Sequence, residues 1–214
     1  RLPRWAAQSV FYGDGIPNNL LAHPFRATGL PLSLAALFAA AARHARDTDV
    51  ILSHWLVPSG LVGAALQART GVRHVAVEHS GGAHVLAALP QPLGRMLATA
   101  IVGRTEQVLC VAESVRHKLA SALPPELALR LTVLPLGVDT ARFAPPAVER
   151  APGPLRLLFL GRMVPVKGPD VLLAAVARLA GQAGPALHIT FVGDGPQRAL
   201  LAARARAVVG LEDA

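Results

Sequence analysis

"LRLLFLGRMVPVKGPDVLLAAVARLA" occupies residues 155–180. An apolar run of strand length, 155–160, stops at Gly161, and Pro169 opens a segment of helical period that runs to about Ala180 before Gly181 and Gly184 stop it. Proline suits a first helical position because its missing N–H would be unpaired there anyway. Asp170 complements the positive end of that helix. Between strand and helix lie Gly161, Arg162 and Lys167. Gly161 reads as a position of unusual backbone angle or close ligand approach. Free backbone donors, a helix N-terminus and two cations at the end of a buried strand make a phosphate site. The plain alternative is two solvated loop charges. In its favour as a site, Lys118 and Lys167 are the only lysines among 21 basic residues, so a compact ammonium stands where this chain ordinarily uses arginine.

Outward from that turn, five more short apolar runs read as buried strands: 50–53, 73–78, 107–112, 131–136 and 187–192. Segments of helical length separate most of them, among them "PLSLAALFAAAARHAR" (31–46), "PSGLVGAALQART" (58–70) and "ESVRHKLASAL" (113–123). Strands alternating with helices predict an α/β fold with parallel sheets covered on both faces, and ligands at the carboxyl ends of the strands. The proline-rich stretch 140–154 reads as a linker. It divides a first domain, 1–139, from a second, 155–214, that holds only a β-α-β-α pattern and is expected to be incomplete.

Composition excludes several classes. The chain of 214 residues is 52% apolar, enough for a real core, and carries a net charge of +8. Its arginines are dispersed, without a dense basic run or interleaved aromatics, which argues against nucleic acid. No zinc-ligand spacing occurs, and the longest apolar segment, 30–42, is too short to span a bilayer. One cysteine, Cys110, precludes an internal disulfide, fits a reducing compartment and reads as a buried small hydrophobe. The loop 161–168 lacks the P-loop pattern and its magnesium-binding hydroxyl, and "GDGPQR" (193–198) supplies only two glycines of a dinucleotide fingerprint. The opening residues, "RLPRWAAQ", show no signal peptide and read as a cut.

"LLFLGRMVPVKGPDVLLAAVARL", with "HITFVGDGPQRALLAARARAVVGLED" (188–213), resembles the donor-side domain of the retaining GT-B glycosyltransferases of the family 4 type, also described as glycosyl transferases group 1. "LTVLPLGVDTARFAP" (131–145) resembles that family's linker segment, where Gly137, Val138, Asp139 and Phe143 match. Residues 49–66, 75–84 and 107–119 resemble successive elements of its first domain.

The resemblance implies two Rossmann-like parallel-sheet domains, the second truncated, and metal-independent transfer of a sugar from a nucleotide-diphosphate-sugar donor with retention. Arg162 and Lys167 match the family's diphosphate-binding pair. A guanidinium fork and an ammonium can stabilise the charge that gathers on a departing diphosphate, in place of a divalent ion. His79 matches the first-domain histidine near the donor sugar. Gly161, Gly193 and Gly195 are expected beside the nucleotide, the last two for tight loop geometry. Asp194 caps the next helix or is simply solvated. His54 follows another strand near where the acceptor would lie, and function and structure are equally open for it.

The resemblance further implies polysaccharide or glycolipid biosynthesis in the cytoplasm, with peripheral association at an anionic inner membrane face that would suit the basic surplus. Leu136 and Ala112 stand where asparagine and serine are more usual. The family's glutamate pair, E-x7-E, and its opening glycine-rich strand do not occur in the chain, so the expectation is a fragment that does not turn over. Two other readings stay open: a nucleotide-sugar epimerase of the same architecture, or a non-catalytic remnant that binds a partner or a phosphorylated ligand. Donor base, sugar and acceptor are left open.

Overall fold

A computed structural model of the chain describes residues 19, 23–145, 153–180 and 186–209. Two compact units emerge, residues 1–143 and 144–214. At the start of the stretch read as a linker, the N–H groups of Ala141 and Arg142 donate to Oδ1 of Asp139, the residue just before it, in a turn, and 146–152 lie outside the described residues.

The first unit is a four-stranded sheet, β1 (Val50–His54), β2 (Arg73–Glu78), β3 (Gln107–Cys110) and β4 (Leu131–Val133), in the order β1-β2-β3-β4. Every neighbouring pair is parallel, so the carboxyl ends of all four strands share one edge. The third and fourth strands are shorter than their apolar runs, stopping at Cys110 and Val133. Helix α1 (Leu30–Ala42) precedes β1, and α2 (Leu61–Thr70), α3 (Gly81–Ala88), α4 (Gln91–Val102), α5 (Glu113–Ala120) and α6 (Pro125–Ala128) fill the connections. Gly71, at φ 74, supplies the left-handed cap that ends α2. The core forms where α4 lays Ala98, Ile101 and Val102 against Val108 and Cys110 of β3, all five fully buried. Each buried isoleucine or valine contributes about 1.5–3 kcal/mol relative to exposure.

In the second unit, β5 (Leu155–Leu160) pairs in parallel with β6 (Leu187–Val192), in register from Leu155↔Leu187 to Leu160↔Val192. Helices α7 (Pro169–Ala180) and α8 (Arg198–Val209) follow the strands. Phe159 and Phe191 are ring neighbours at 5.5 Å, and Phe191 packs against a small core of Met163, Leu173 and Leu201. The alternate positions Leu158 and Leu160 are 65% and 74% exposed, so the opposite face of this sheet is uncovered among the described residues. Among the described residues no helix is long and apolar enough to cross a membrane.

Candidate functional site

In the second unit the two strand ends interlock. Gly161 N–H donates to the Val192 carbonyl at 3.0 Å, Met163 N–H to Asp194 at 2.8 Å, and Gln197 N–H back to Met163 at 3.1 Å. Gly193 (φ 144) and Gly195 (φ 154) lie directly on the main chain of the 161–163 loop. A Cβ on Gly193 would enter the Gly161 carbonyl, and one on Gly195 would sit 2.5 Å from Met163 O. The unusual backbone angle that the sequence offers as one reason for Gly161 is found instead at Gly193 and Gly195. A side chain at Gly161 would meet only the Phe159 ring at 3.8 Å, and its backbone angle is ordinary. Inside the loop, the residue that needs glycine's left-handed freedom is Gly168, at φ 66, which ends the short turn Pro165–Lys167 just before Pro169 starts α7.

Arg162 and Lys167 are exposed on this loop. Asp170 stands in the first turn of α7 with Oδ1 buried and, among the described residues, without a hydrogen-bond partner. Asp194 bonds the N–H of Gly195 through Oδ1 (2.8 Å) and lies 3.9 Å from Arg198. Its side chain is 84% exposed, so it holds the turn before α8 while remaining solvated.

The first unit carries its own cluster at the ends of β1 and β2. His54 Nδ1 and His79 Nε2 are 2.8 Å apart, with the rings nearly parallel at 5.1 Å. A hydrogen bond at this distance requires one of the two nitrogens to carry the hydrogen and the other to accept it. The Trp55 indole meets the edge of His79 at 6.4 Å. Trp55 and Ser80 both have left-handed backbones, at φ 69 and φ 94. Such residues cost about 1–3 kcal/mol each and persist where surroundings over-determine them. α3 begins at Gly81, leaving only His79 and Ser80 between strand and helix.

What holds these residues is Glu78, which the sequence reading passed over. Its carboxylate is fully buried and accepts the Leu56 N–H at 2.9 Å and the Gly82 N–H at 3.0 Å. Gly82 has no room for a side chain, because a Cβ there would fall on Glu78 Oε2 and 2.7 Å from Leu56 N. An acidic residue directly after the apolar run Val75–Val77 is the available signal.

Beneath this edge, His74 is buried between Ser53 Oγ (2.8 Å to Nε2) and Thr105 Oγ1 (3.1 Å to Nδ1). The Thr105 hydroxyl already donates to the Ile101 carbonyl, so it accepts from His74, which in turn accepts from Ser53. Burial pushes the His74 pKa below the ordinary imidazole value, partly offset by the Arg104 carbonyl. Cys110 is pushed up to about 11, chiefly by burial and then by the Glu78 charge, so it is an inert thiol. Among the described residues no three His, Cys, Asp or Glu side chains converge as a metal site.

Two parallel-sheet units, each with polar loops at the carboxyl edge, define an α/β protein of the GT-B type. Residues 9–142 match the model of Glycosyltransferase Family 4, and 142–212 match Glycosyl transferases group 1. The chain belongs to glycosyltransferase family 4. It is 39% identical over 149 residues to the D-inositol 3-phosphate glycosyltransferase of Frankia alni, covering 61% of this chain and 35% of that protein. With the enzyme of the same name from Segniliparus rotundus it shares 32% identity over 206 residues, 83% of this chain and 43% of the relative. A GDP-mannose-dependent alpha-(1-6)-phosphatidylinositol monomannoside mannosyltransferase of Mycolicibacterium smegmatis is 33% identical over 158 residues, 70% of this chain and 40% of that one. The chain thus spans less than half the length of these relatives. The crystal structure of Anabaena HepE in complex with UDP-glucose superposes with a TM-score of 0.58 at 18% identity, over 83% of this chain and 50% of that one. That likeness concerns the fold.

Proposed function

We propose that the protein transfers a sugar from a nucleotide-diphosphate-sugar donor to an acceptor, with retention and without a metal, and that Arg162 and Lys167 hold the diphosphate. The observation that carries the reading is the loop 161–168. It is clamped onto the 193–195 turn by bare glycine contacts and presents two exposed cations ahead of the α7 N-terminus. Breaking a glycosidic bond to diphosphate leaves negative charge on the departing oxygens. Fixed donors and cations stabilise that charge without reorganising during the reaction.

On this reading Gly193 and Gly195 set the height of the loop beside the nucleotide, and His79 serves the sugar side of the reaction with His54 as its hydrogen-bond partner. The relatives' names, with inositol 3-phosphate and phosphatidylinositol monomannoside in them, favour a phosphorylated inositol or glycolipid acceptor. The net charge of +8 suits work at an anionic membrane face.

Titration calorimetry with UDP, GDP and the matching free nucleosides, in EDTA, tests the proposal. Binding of at least one diphosphate, with its nucleoside at least tenfold weaker, is the expected result. Equal affinity for nucleoside and diphosphate, or binding that EDTA abolishes, overturns it.

A further inference from the structure

We propose that Glu78 is a positioning residue that locks His54 and His79 into their shared hydrogen bond; its bearing on the transfer rests on the role of His79 given above. A carboxylate with no exposed surface needs partners, and among the described residues Glu78 has only main-chain ones. Those two N–H groups lie in two different connections. Leu56 follows Trp55 in the turn after β1, and Gly82 lies in the first turn of α3, after β2. One side chain therefore ties together the two turns that carry the histidines.

The chemistry explains why the residue is a glutamate. Both partners are donors, so both side-chain oxygens must accept. Gly82 N–H is also one of the helix-start groups that no residue of α3 can satisfy. The bare Cα of Gly82 completes the fit, since any side chain there would displace the carboxylate or the Leu56 amide. The left-handed Trp55 immediately precedes Leu56, and Ser80 stands two positions before Gly82. The clamp thus anchors both strained residues, and through them the positions of His54 and His79.

The test is Glu78→Gln in the full chain, labelled with ¹⁵N-histidine and followed through two-bond ¹H–¹⁵N spectra. In the wild type, His54 Nδ1 and His79 Nε2 should read as one protonated and one bare nitrogen. Glutamine puts an NH₂ where an acceptor is required. The variant is therefore expected to show His79 as the tautomer mixture of a free imidazole, with the Leu56 and Gly82 amides exchanging at least tenfold faster while Ile51 and Val75 stay protected. A folded variant with unchanged histidine spectra overturns the proposal.

Should the variant not fold, amide exchange in the wild type decides. Slow exchange at Leu56 and Gly82 supports the clamp, and exchange at the rate of an open loop overturns it. None of these readouts involves nucleotide binding, so failure of the transferase reading would show separately, in the calorimetry.

Discussion

Gly195→Ala should damage the second unit out of proportion to a single methyl group. The new Cβ would lie 2.5 Å from Met163 O, 2.8 Å from its carbonyl carbon and 2.9 Å from its nitrogen. Ordinary contact begins near 3.4 Å, so the loop must retreat by 0.9 Å (3.4 − 2.5). That movement loosens the Met163–Asp194 and Gln197–Met163 bonds, each worth about 1 kcal/mol. Alanine is also strained at φ 154, at about 1–3 kcal/mol. Relief of one term aggravates another, so the expected loss is about 2–4 kcal/mol. Hydrogen exchange read by mass spectrometry on peptides from β5 and β6 should then accelerate about 30- to 1000-fold. Gly161→Ala is the control, since its Cβ finds only the Phe159 ring at 3.8 Å. Equal exchange rates in Gly195→Ala, Gly161→Ala and wild type would refute the reasoning.

Two further outcomes follow from the first unit. The pKa of His74 is lowered in the fold, so below about pH 6.5 the unfolded chain binds the extra proton and the folded chain does not. Stability contributed by neutral His74 is therefore full above about pH 6.5 and is lost as pH falls toward its depressed folded value; urea midpoints measured between pH 7.5 and 5 should decline, and His74→Gln should flatten that decline. Ala112 occupies the N-cap of α5 with extended backbone and no side-chain cap, so Ala112→Ser should raise stability by about 1 kcal/mol in the same unfolding assay.

Patterns with a period were readable from sequence. All six strands sit where the apolar runs lie, and Pro169 starts α7. The strand ends of β3 and β4 were read too long because apolarity continues past the last paired residue, through Val111 and Leu134. Helices α3 and α4 are harder to see: extended Leu89 and Pro90 separate them, and glycines at 81, 82 and 94 mask their helical composition. Gly94 is needed inside α4 because a side chain there would meet the Leu86 carbonyl, a contact that local sequence does not encode. The same holds at the site. Arg162, Lys167 and His79 are marked as candidates by their sequence neighbours, but the carboxylate of Glu78 acquires its partners only when β1 and β2 pair and bring Leu56 within 2.9 Å. Likewise, Gly193 and Gly195 matter through what they touch on another strand's loop.

In the proposed function, Arg162 and Lys167 grip a nucleotide's diphosphate. Comparing the dissociation constant for the tighter of UDP and GDP across wild type, Arg162→Ala, Lys167→Ala and the double variant tests it most directly. A hydrogen bond to a charged group is worth about 1.5–3 kcal/mol, so each single change should weaken binding about 10- to 100-fold while nucleoside affinity stays the same. The double variant should bind the diphosphate no better than the nucleoside. Unchanged diphosphate affinity in the double variant would contradict the account.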